Sequence, residues 1–555
     1  MNYQEIPTIK SKVLSSKLFN FRPLFFSAVF VSFGVLCAFA HVKYALPWWV
    51  LLFVLPIAVV PFCFINTKKE LAQRVLAVSV MALCFLFGLC AFFIQTKNFQ
   101  SVTYYNGEYT VRGRVTEYVV YDSWTRMQLT DVTVDGNAEK GALIAYLPGD
   151  YALDVPLSST VEMVGNLTTD TALFDERGFR AYAIDKNVKM YMSADSVTIT
   201  GREFDLFLYC RQGLQTLLET GMDKTPAQTL RGLLFGETSG IDEGLLDNIR
   251  YGGIAHVFAV SGLHFGILFS CLAWIFNREC LWRIPKWTRF VCVALLLLFY
   301  GGICGFSASV IRAIVTCLTL YAVQLIGIAS DWLERISLAC LITLCISPCQ
   351  LFHAGFLLSF GACYGIALLT KRIEKGLWFC WGKLRKAVGR PIRKYQPNEQ
   401  THPLTIAQTI ERDCITFLSV TTSAQAFTLP ILLTTFGYLS GWSLLLNCVF
   451  VPIIGIVFPF LLAFVLLATL LPLATANVVL YVPNLIMTLI AFVFETLDFT
   501  TFALEGVKLA PFAIVCYYFT LLLCTDKWNV PKKYTWCLAL ASSLCCIATV
   551  VIGNL

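Results

Sequence analysis

Apolar runs of membrane-crossing length recur along nearly the whole chain, and a soluble fold has no interior large enough to hide them. A helical span needs about 20 predominantly apolar residues to cross about 30 Å of hydrocarbon. Runs of that order stand at 25–40, 48–65 and 75–94. Others follow at 256–276, 288–304, 308–328, 334–348, 351–370, 415–435, 441–473, 478–497, 510–525 and 535–552. Composition agrees: 57% of residues are hydrophobic, only 14% are charged, and the mean hydropathy is +0.69, far from soluble usage. The chain reads as a polytopic α-helical membrane protein of about 13 spans. Its first run is not a removable signal, because further spans follow closely and no small-residue cleavage site stands out.

Charge gives the orientation. Residues 96–205 hold sixteen acids against ten bases, net −6, so the rest of the chain carries +13. Cytoplasmic loops collect Lys and Arg. The acidic block is therefore expected outside, while the tail 1–22, with Lys10, Lys12, Lys17 and Arg22, is expected inside, before three spans over 23–95. The segment KRIEKGLWFCWGKLRKAVGRPIRKYQ is the strongest basic run and marks a cytoplasmic loop over 371–414; NRECLWRIPKWTR reads as another. Parity then requires 441–473, which contains Pro452 and Pro459, to make one crossing plus a broken or re-entrant piece.

Between about 100 and 203 the pattern changes. YTVRGRVTEYV, MQLTDVTVDG, GALIAYLPGD, STVEMVGNL and KMYMSADSVTITG alternate at period two between Gly and Asp turns, which argues for short strands. Five strands in that length suit a small OB-like barrel, with a sandwich as the other possibility. The predicted fold class is thus a polytopic helical membrane protein with an inserted small all-β, exported domain. No cysteine falls between Gln95 and Tyr209, although the chain has 22, so this domain has no disulfide framework. Cys345 and Cys349 in CISPC read as small packing residues. Residues 204–250 are amphipathic, with a break at Thr225-Pro226, and suit helices at the membrane surface. A membrane-spanning domain over 251–525 and a last span over 535–555 complete the division.

The run GGIAHVFAVSGLHFGIL places two histidines, a serine and glycines in a membrane-like segment. His256 and His264 are eight apart, about 80° around a continuous helix, and a two-histidine metal site on a helix usually wants a spacing of four. Ser261 and His264 share a face, but an intramembrane hydrolase also needs an orienting acid and an oxyanion site. Two readings stay open. Gly262 and Gly266 allow close helix packing while the polar groups satisfy bonds within the bundle, or the segment lines a wet passage. No metal, cofactor or catalytic residue is expected.

The longer stretch GLLFGETSGIDEGLLDNIRYGGIAHVFAVSGLHFGIL closely resembles the competence domain of the ComEC family of DNA-uptake channel proteins. GFSASVIRAI, SDWLERISLACLITLCISP, HAGFLLSFGA and SAQAFTLPILLTTFGYLSGWSLLLNCVFVP resemble further family segments in the same order. LFDERGFRAYAIDKNV looks like the end of its exported domain. Leu357 departs from the pattern, where members often carry glutamine. The resemblance, over about residues 25–520, implies import of one DNA strand across the inner membrane in natural transformation. It gives His256, Ser261, Gly262, His264, Arg312, Gln425 and Asn447 as path candidates, supported by Gly236, Glu237, Asp331 and Ser359. Arg312 is the leading phosphate contact, against a structural pairing with Asp331 or Glu237.

In the exported domain, Arg112, Arg114, Trp124 and Arg126, with Tyr118 and Tyr121, are candidates for a single-strand surface; scaffolding of the channel mouth is the alternative, given the acidic charge. Longer members append a metallo-β-lactamase-like nuclease domain, which is not expected here, so a nuclease would act in trans. A receptor delivering DNA outside and a motor or helicase pulling inside are the implied partners, besides single-stranded DNA and the bilayer. No GxxxxGK[ST] occurs, so ATP is spent elsewhere. The competing reading is a secondary transporter or exporter of a small polar solute or lipid.

Overall fold

The computed structural model describes residues 22–47, 71–120, 124–148, 158–276, 284–327, 331–387, 406–497, 499, 502–506, 510–523 and 525, apart from 177, 203, 239 and 259. The expected tail 1–21, the second run at 48–65 and the last span at 535–555 lie outside these residues. Pro23 opens α1 (Pro23–Tyr44) in its first turn, where a missing N–H is tolerated. It packs against α2 (Leu71–Gln100). At their crossing a Cβ on Gly34 would collide with the carbonyl oxygen of Phe85, and one on Gly88 with that of Val31. The start of α1 is fixed from afar by α11 (Trp332–Ile346). Arg22 Nε donates to Asp331 Oδ2 at 2.8 Å, and the Leu24 amide donates to Glu334 Oε2 at 3.1 Å.

Between α2 and the second group of membrane helices stands the β domain. Its strands are β1 (Asn106–Val120), β2 (Trp124–Val134), β3 (Asn137–Ala138), β4 (Ala142–Pro148), β5 (Ser159–Thr169), β6 (Phe174–Asp175), β7 (Gly178–Phe179) and β8 (Val188–Arg202). Around the sheet the order is β1-β5-β8-β4-β2, and β2 pairs back to β1. The β4–β8 pairing is parallel and the others are antiparallel. The five long strands therefore close into the small barrel that the alternation anticipates. Val111, Met127, Leu129, Leu143, Met163 and Leu167 fill it, each at 0% exposure, as inward residues of a small barrel must.

The segment that resembles the end of the family's exported domain joins this barrel to the membrane helices. The β6–β7 hairpin brings Phe179 to 5.1 Å from Phe39 of α1 and 5.0 Å from Phe352 of the 3-10 helix Pro348–Phe352, between ring centres. After α3 (Ala181–Asp185), Lys189 is buried and donates through Nζ to the carbonyls of Asn98 at 2.8 Å and Ser101 at 3.1 Å. Burial pushes its ammonium below the ordinary lysine range.

The rest is helical. Short amphipathic α4 (Leu206–Gly221), α5 (Lys224–Phe235) and α6 (Glu243–Tyr251) precede α7 (Ala255–Phe258), α8 (Gly262–Phe276), α9 (Lys286–Ile303) and α10 (Ala308–Ile326). After α11 come α12 (Ala354–Ala387), α13 (Ile406–Phe436), α14 (Ser443–Thr469), α15 (Leu473–Thr496) and α16 (Pro511–Leu523). A ribbon of β9 (Tyr438–Ser440) and β10 (Ala503–Glu505) links the ends of α13 and α15. Among the described residues eight helices are long and apolar enough to cross a membrane. The runs expected at 256–276, 334–348 and 510–525 instead form helices of 15, 15 and 13 residues.

Three expectations change. The amphipathic break falls at Met222–Asp223, because Pro226 sits in the first turn of α5, where its missing N–H is harmless. The run 441–473 contains one continuous 27-residue helix with Pro452 and Pro459 inside it. At about 40 Å it is long enough for a single tilted crossing, and no re-entrant piece is required. The expected loop 371–414 is largely helix, since α12 runs to Ala387 and α13 begins at Ile406. Glu411 ties the two together, accepting from Arg385 Nη1 at 2.8 and 2.9 Å; residues 388–405 lie outside the described ones.

Substitution of Gly88 by Val should separate α1 from α2, since the clash is with backbone. A loss of about 1–3 kcal/mol is expected, read as a lowered unfolding midpoint of the purified protein in detergent, with Gly376→Ala, where a Cβ meets none of the described residues, close to wild type.

Candidate functional site

The run GGIAHVFAVSGLHFGIL is not one helix. Gly253 ends α6 at φ 74°, and a Cβ there would come within 2.5 Å of Ser443 Cβ, so both its conformation and its packing select glycine. The chain then makes the single turn α7, breaks, and starts again as α8. The restart is a reciprocal cap. Ser261 Oγ accepts from the Leu263 amide at 3.3 Å, while the Ser261 amide donates to His264 Nδ1 at 3.3 Å. This is a capping box in which histidine stands where glutamate or glutamine normally does. An Nδ1 that accepts from a backbone amide is unprotonated, so the neutral ring carries its hydrogen on Nε2. His264 is fully buried, its Nε2 has no hydrogen-bond partner among the described residues, and its ring meets the Phe458 ring edge-on at 4.8 Å.

This geometry revises the sequence picture of the segment. The break puts His256 on α7 and His264 on α8, so the angle expected for a continuous helix does not apply; His256 is exposed. Ser261 and His264 are within 3.3 Å of each other, as their spacing suggests, and both serve the helix end. Gly262 and Gly266 do not pack a neighbouring helix: a Cβ at either would meet none of the described residues within 4 Å. They form an open strip beside the break.

Gln425 and Asn447 are brought together with that loop. Gln425 Nε2 donates to Ser443 Oγ at 2.8 Å, and Asn447 Nδ2 donates to the same oxygen at 3.1 Å and to the Gly253 carbonyl at 3.4 Å. Their donors hold α13, α14 and the glycine turn together. Ser443, which the sequence reading did not single out, is the centre of this network. Gly236 ends α5 at φ 75°, where a Cβ would come 3.1 Å from the Val260 amide nitrogen, next to the helix break. Glu237 is shared by Arg211, at 2.9 Å, and Arg231.

Arg312 lies in the second turn of α10, 4% exposed. Asp331 is taken by Arg22, and Glu237 by Arg211 and Arg231. Neither acid pairs with Arg312, whose guanidinium makes no hydrogen bond or ion pair among the described residues, with Nε buried and unsatisfied. Room for it comes from Gly355 on α12, where a Cβ would approach Nη2 to 3.1 Å. The carboxylate whose charge reaches it is Asp185 of the β domain, which stands 3.9 Å from His353 Nε2. Ser359 lies half-buried one turn beyond Gly355.

The barrel candidates do not form one patch. Arg112 is exposed opposite Thr133 on β2, whereas Arg126 lies opposite Val119 at the other end of the same ladder, about 20 Å along the strand. Arg114 pairs with Asp131 at 3.0 Å, and Trp124 packs on Tyr146 with ring centres 5.6 Å apart. Tyr121 and the Tyr118 side chain are outside the described set. Sequence reasoning missed the partners Arg22, Arg211, Arg231, Asp185 and Ser443: Arg22 and Asp331 are 309 residues apart, and although Arg231 and Glu237 are only six apart, their contact depends on how the chain turns after α5.

Replacing His264 by Gln should keep the acceptor at the third position of α8, whereas His264→Ala and Ser261→Ala should each cost about 1 kcal/mol of stability. Reversible unfolding in mixed micelles checks the order: Gln near wild type, Ala below it.

Residues 233–531, more than half of the chain, match the sequence profile of the Competence protein family. A stretch of 153 residues is 31% identical to ComE operon protein 3 of Bacillus subtilis and covers 26% of this chain and 18% of that protein. Another of 121 residues is 31% identical to a Mycoplasma pneumoniae protein described as "Uncharacterized protein MG316 homolog", covering 21% of this chain and 29% of that one. The chain thus aligns with less than a third of the length of either relative. No solved structure matches. The profile match spans the helical domain that carries the capped break, the glycine strip and Arg312, and it places the chain in the Competence protein family.

Proposed function

We propose that this chain is an inner-membrane channel that imports single-stranded DNA during natural transformation. The observation that carries the reading is Arg312. A cation in a spanning helix costs about 2.5 kcal/mol or more unless it meets a partner or water, and its candidate carboxylates are bound to other arginines. A passing phosphate is the kind of partner such a site accommodates, and a polyanion crosses lipid only along a hydrated path of positive bias. The open strip at Gly262 and Gly266, with His256 exposed nearby in sequence, is the proposed wall of that path. The Gln425–Ser443–Asn447 network and the Ser261–His264 cap hold the wall in place.

In this arrangement the acidic β barrel lies on the outer side of the inner membrane, the basic end of α12 and α13 lies inside, and the N-terminus is cytoplasmic, following the Lys and Arg distribution. The barrel scaffolds the mouth, since its arginines are dispersed along β1 and β2. A receptor outside and a motor or helicase inside complete the pathway.

The test is arrival of labelled DNA in the cytoplasm of the native host carrying a deletion complemented by wild type, Arg312→Ala or Arg312→Lys. Arg312→Ala should lower arrival about ten-fold or more, with outer uptake intact and Lys intermediate. The stability of Arg312→Ala in detergent should stay close to wild type, because the guanidinium makes no hydrogen bond or ion pair among the described residues. Unchanged arrival after deletion in a transforming host would remove the DNA reading and favour a solute transporter.

A further inference from the structure

We propose that the end of α12 farthest from the β domain is a landing stripe for the single strand as it leaves the membrane; this rests on the channel reading above. Lys375, Phe379, Lys383 and Lys386 follow one another at spacings of four, four and three, within about 80° of arc, and all four are exposed. Phe379 keeps 65% of its surface, with Lys383 Nζ 4.5 Å from its ring centre. None of the three lysines forms an ion pair among the described residues. Glu374, the one acid in 371–387, lies on the far side of the helix, where Thr416 donates to it at 3.4 Å. Trp381 and Arg385, bound to Glu411 of α13, occupy that far side too, so the hairpin contact turns the stripe outward.

Position along the helix sets where the stripe stands. His353, immediately before α12, is 3.9 Å from Asp185 of the β domain. At 1.5 Å per residue, Lys375 is about 32 Å and Lys386 about 48 Å from Ala354, past the roughly 30 Å of hydrocarbon. The stripe therefore begins at the opposite membrane surface and leads away from it. A helix that anchors to lipid headgroups lies in the membrane plane; here only the first lysine is at headgroup depth. An exposed aromatic ring set between unpaired cations along one line suits a strand whose phosphates and base faces alternate.

The test uses the full chain in zwitterionic nanodiscs and a fluorescein-labelled oligothymidylate, followed by anisotropy over a salt series. Phe379→Ala should weaken binding about 5- to 150-fold with the salt slope unchanged. The triple variant K375Q/K383Q/K386Q should lower the slope of log Kd against log salt by about 2, at about 0.7 per phosphate on a single strand. Affinities within two-fold of wild type for both proteins would overturn the proposal. So would a triple variant that loses only co-purified anionic lipid while binding the oligonucleotide normally, which would make the stripe a lipid contact. If cytoplasmic arrival depends on the gene but the stripe variants bind as wild type, the stripe fails and the channel reading stands. If the stripe binds DNA but arrival is independent of the gene, the channel reading fails instead.

Discussion

A buried arginine that forms no ion pair among the described residues, with Asp185 of the β domain the carboxylate whose charge reaches it, is the constraint around which the membrane domain is arranged. Hydrocarbon penalises a lone cation, and the chain has acids at the right depth in sequence to neutralise Arg312. It commits them elsewhere. Asp331 binds Arg22 and also caps α11 through the Glu334 amide, which fixes the start of α1. Glu237 draws Arg211 and Arg231 together beside the turn at Gly236. Each of these pairs stitches two elements, and together they leave one guanidinium in a space that Gly355 keeps open.

The same economy of polar groups governs the helix break. In lipid every backbone donor must find an acceptor, so a helix that stops and restarts at membrane depth needs built caps. Ser261 and His264 supply them reciprocally, and Gly253 lets the loop press on Ser443, which in turn gathers Gln425 and Asn447. The break then stays rigid while its glycine face stays open. The aromatic joint of Phe39, Phe179 and Phe352 seats the barrel over this domain and carries Asp185 to His353.

Much of this was legible in the sequence. Period-two alternation between Gly and Asp turns gave the barrel, and apolar run length gave most of the helices. What failed did so for physical reasons. The spacing of Gly262 and Gly266 leaves a packing face and an open wall both possible, since sequence spacing cannot say whether a facing helix is there. Basic residues over 371–414 mark a loop in the sequence reading although much of the segment is helix, because charge marks the side of the membrane and not the backbone conformation. The four-residue rhythm of Lys375, Phe379 and Lys383 was the signal for helix. Arg312 could be found by its depth, but the absence of an ion pair to it among the described residues depends on tertiary contacts, such as that of Arg22 to Asp331, that the sequence does not display.

The most direct measurement is photocrosslinking from a benzophenone amino acid placed at Gly262 during uptake of labelled DNA in the native host, with the same probe at exposed Leu295 in the middle of α9 as the outward-facing control. A path along the glycine strip requires crosslinks to the incoming strand from position 262 and none from 295. Crosslinks from both positions to lipid alone, while DNA is entering the cell, would contradict it.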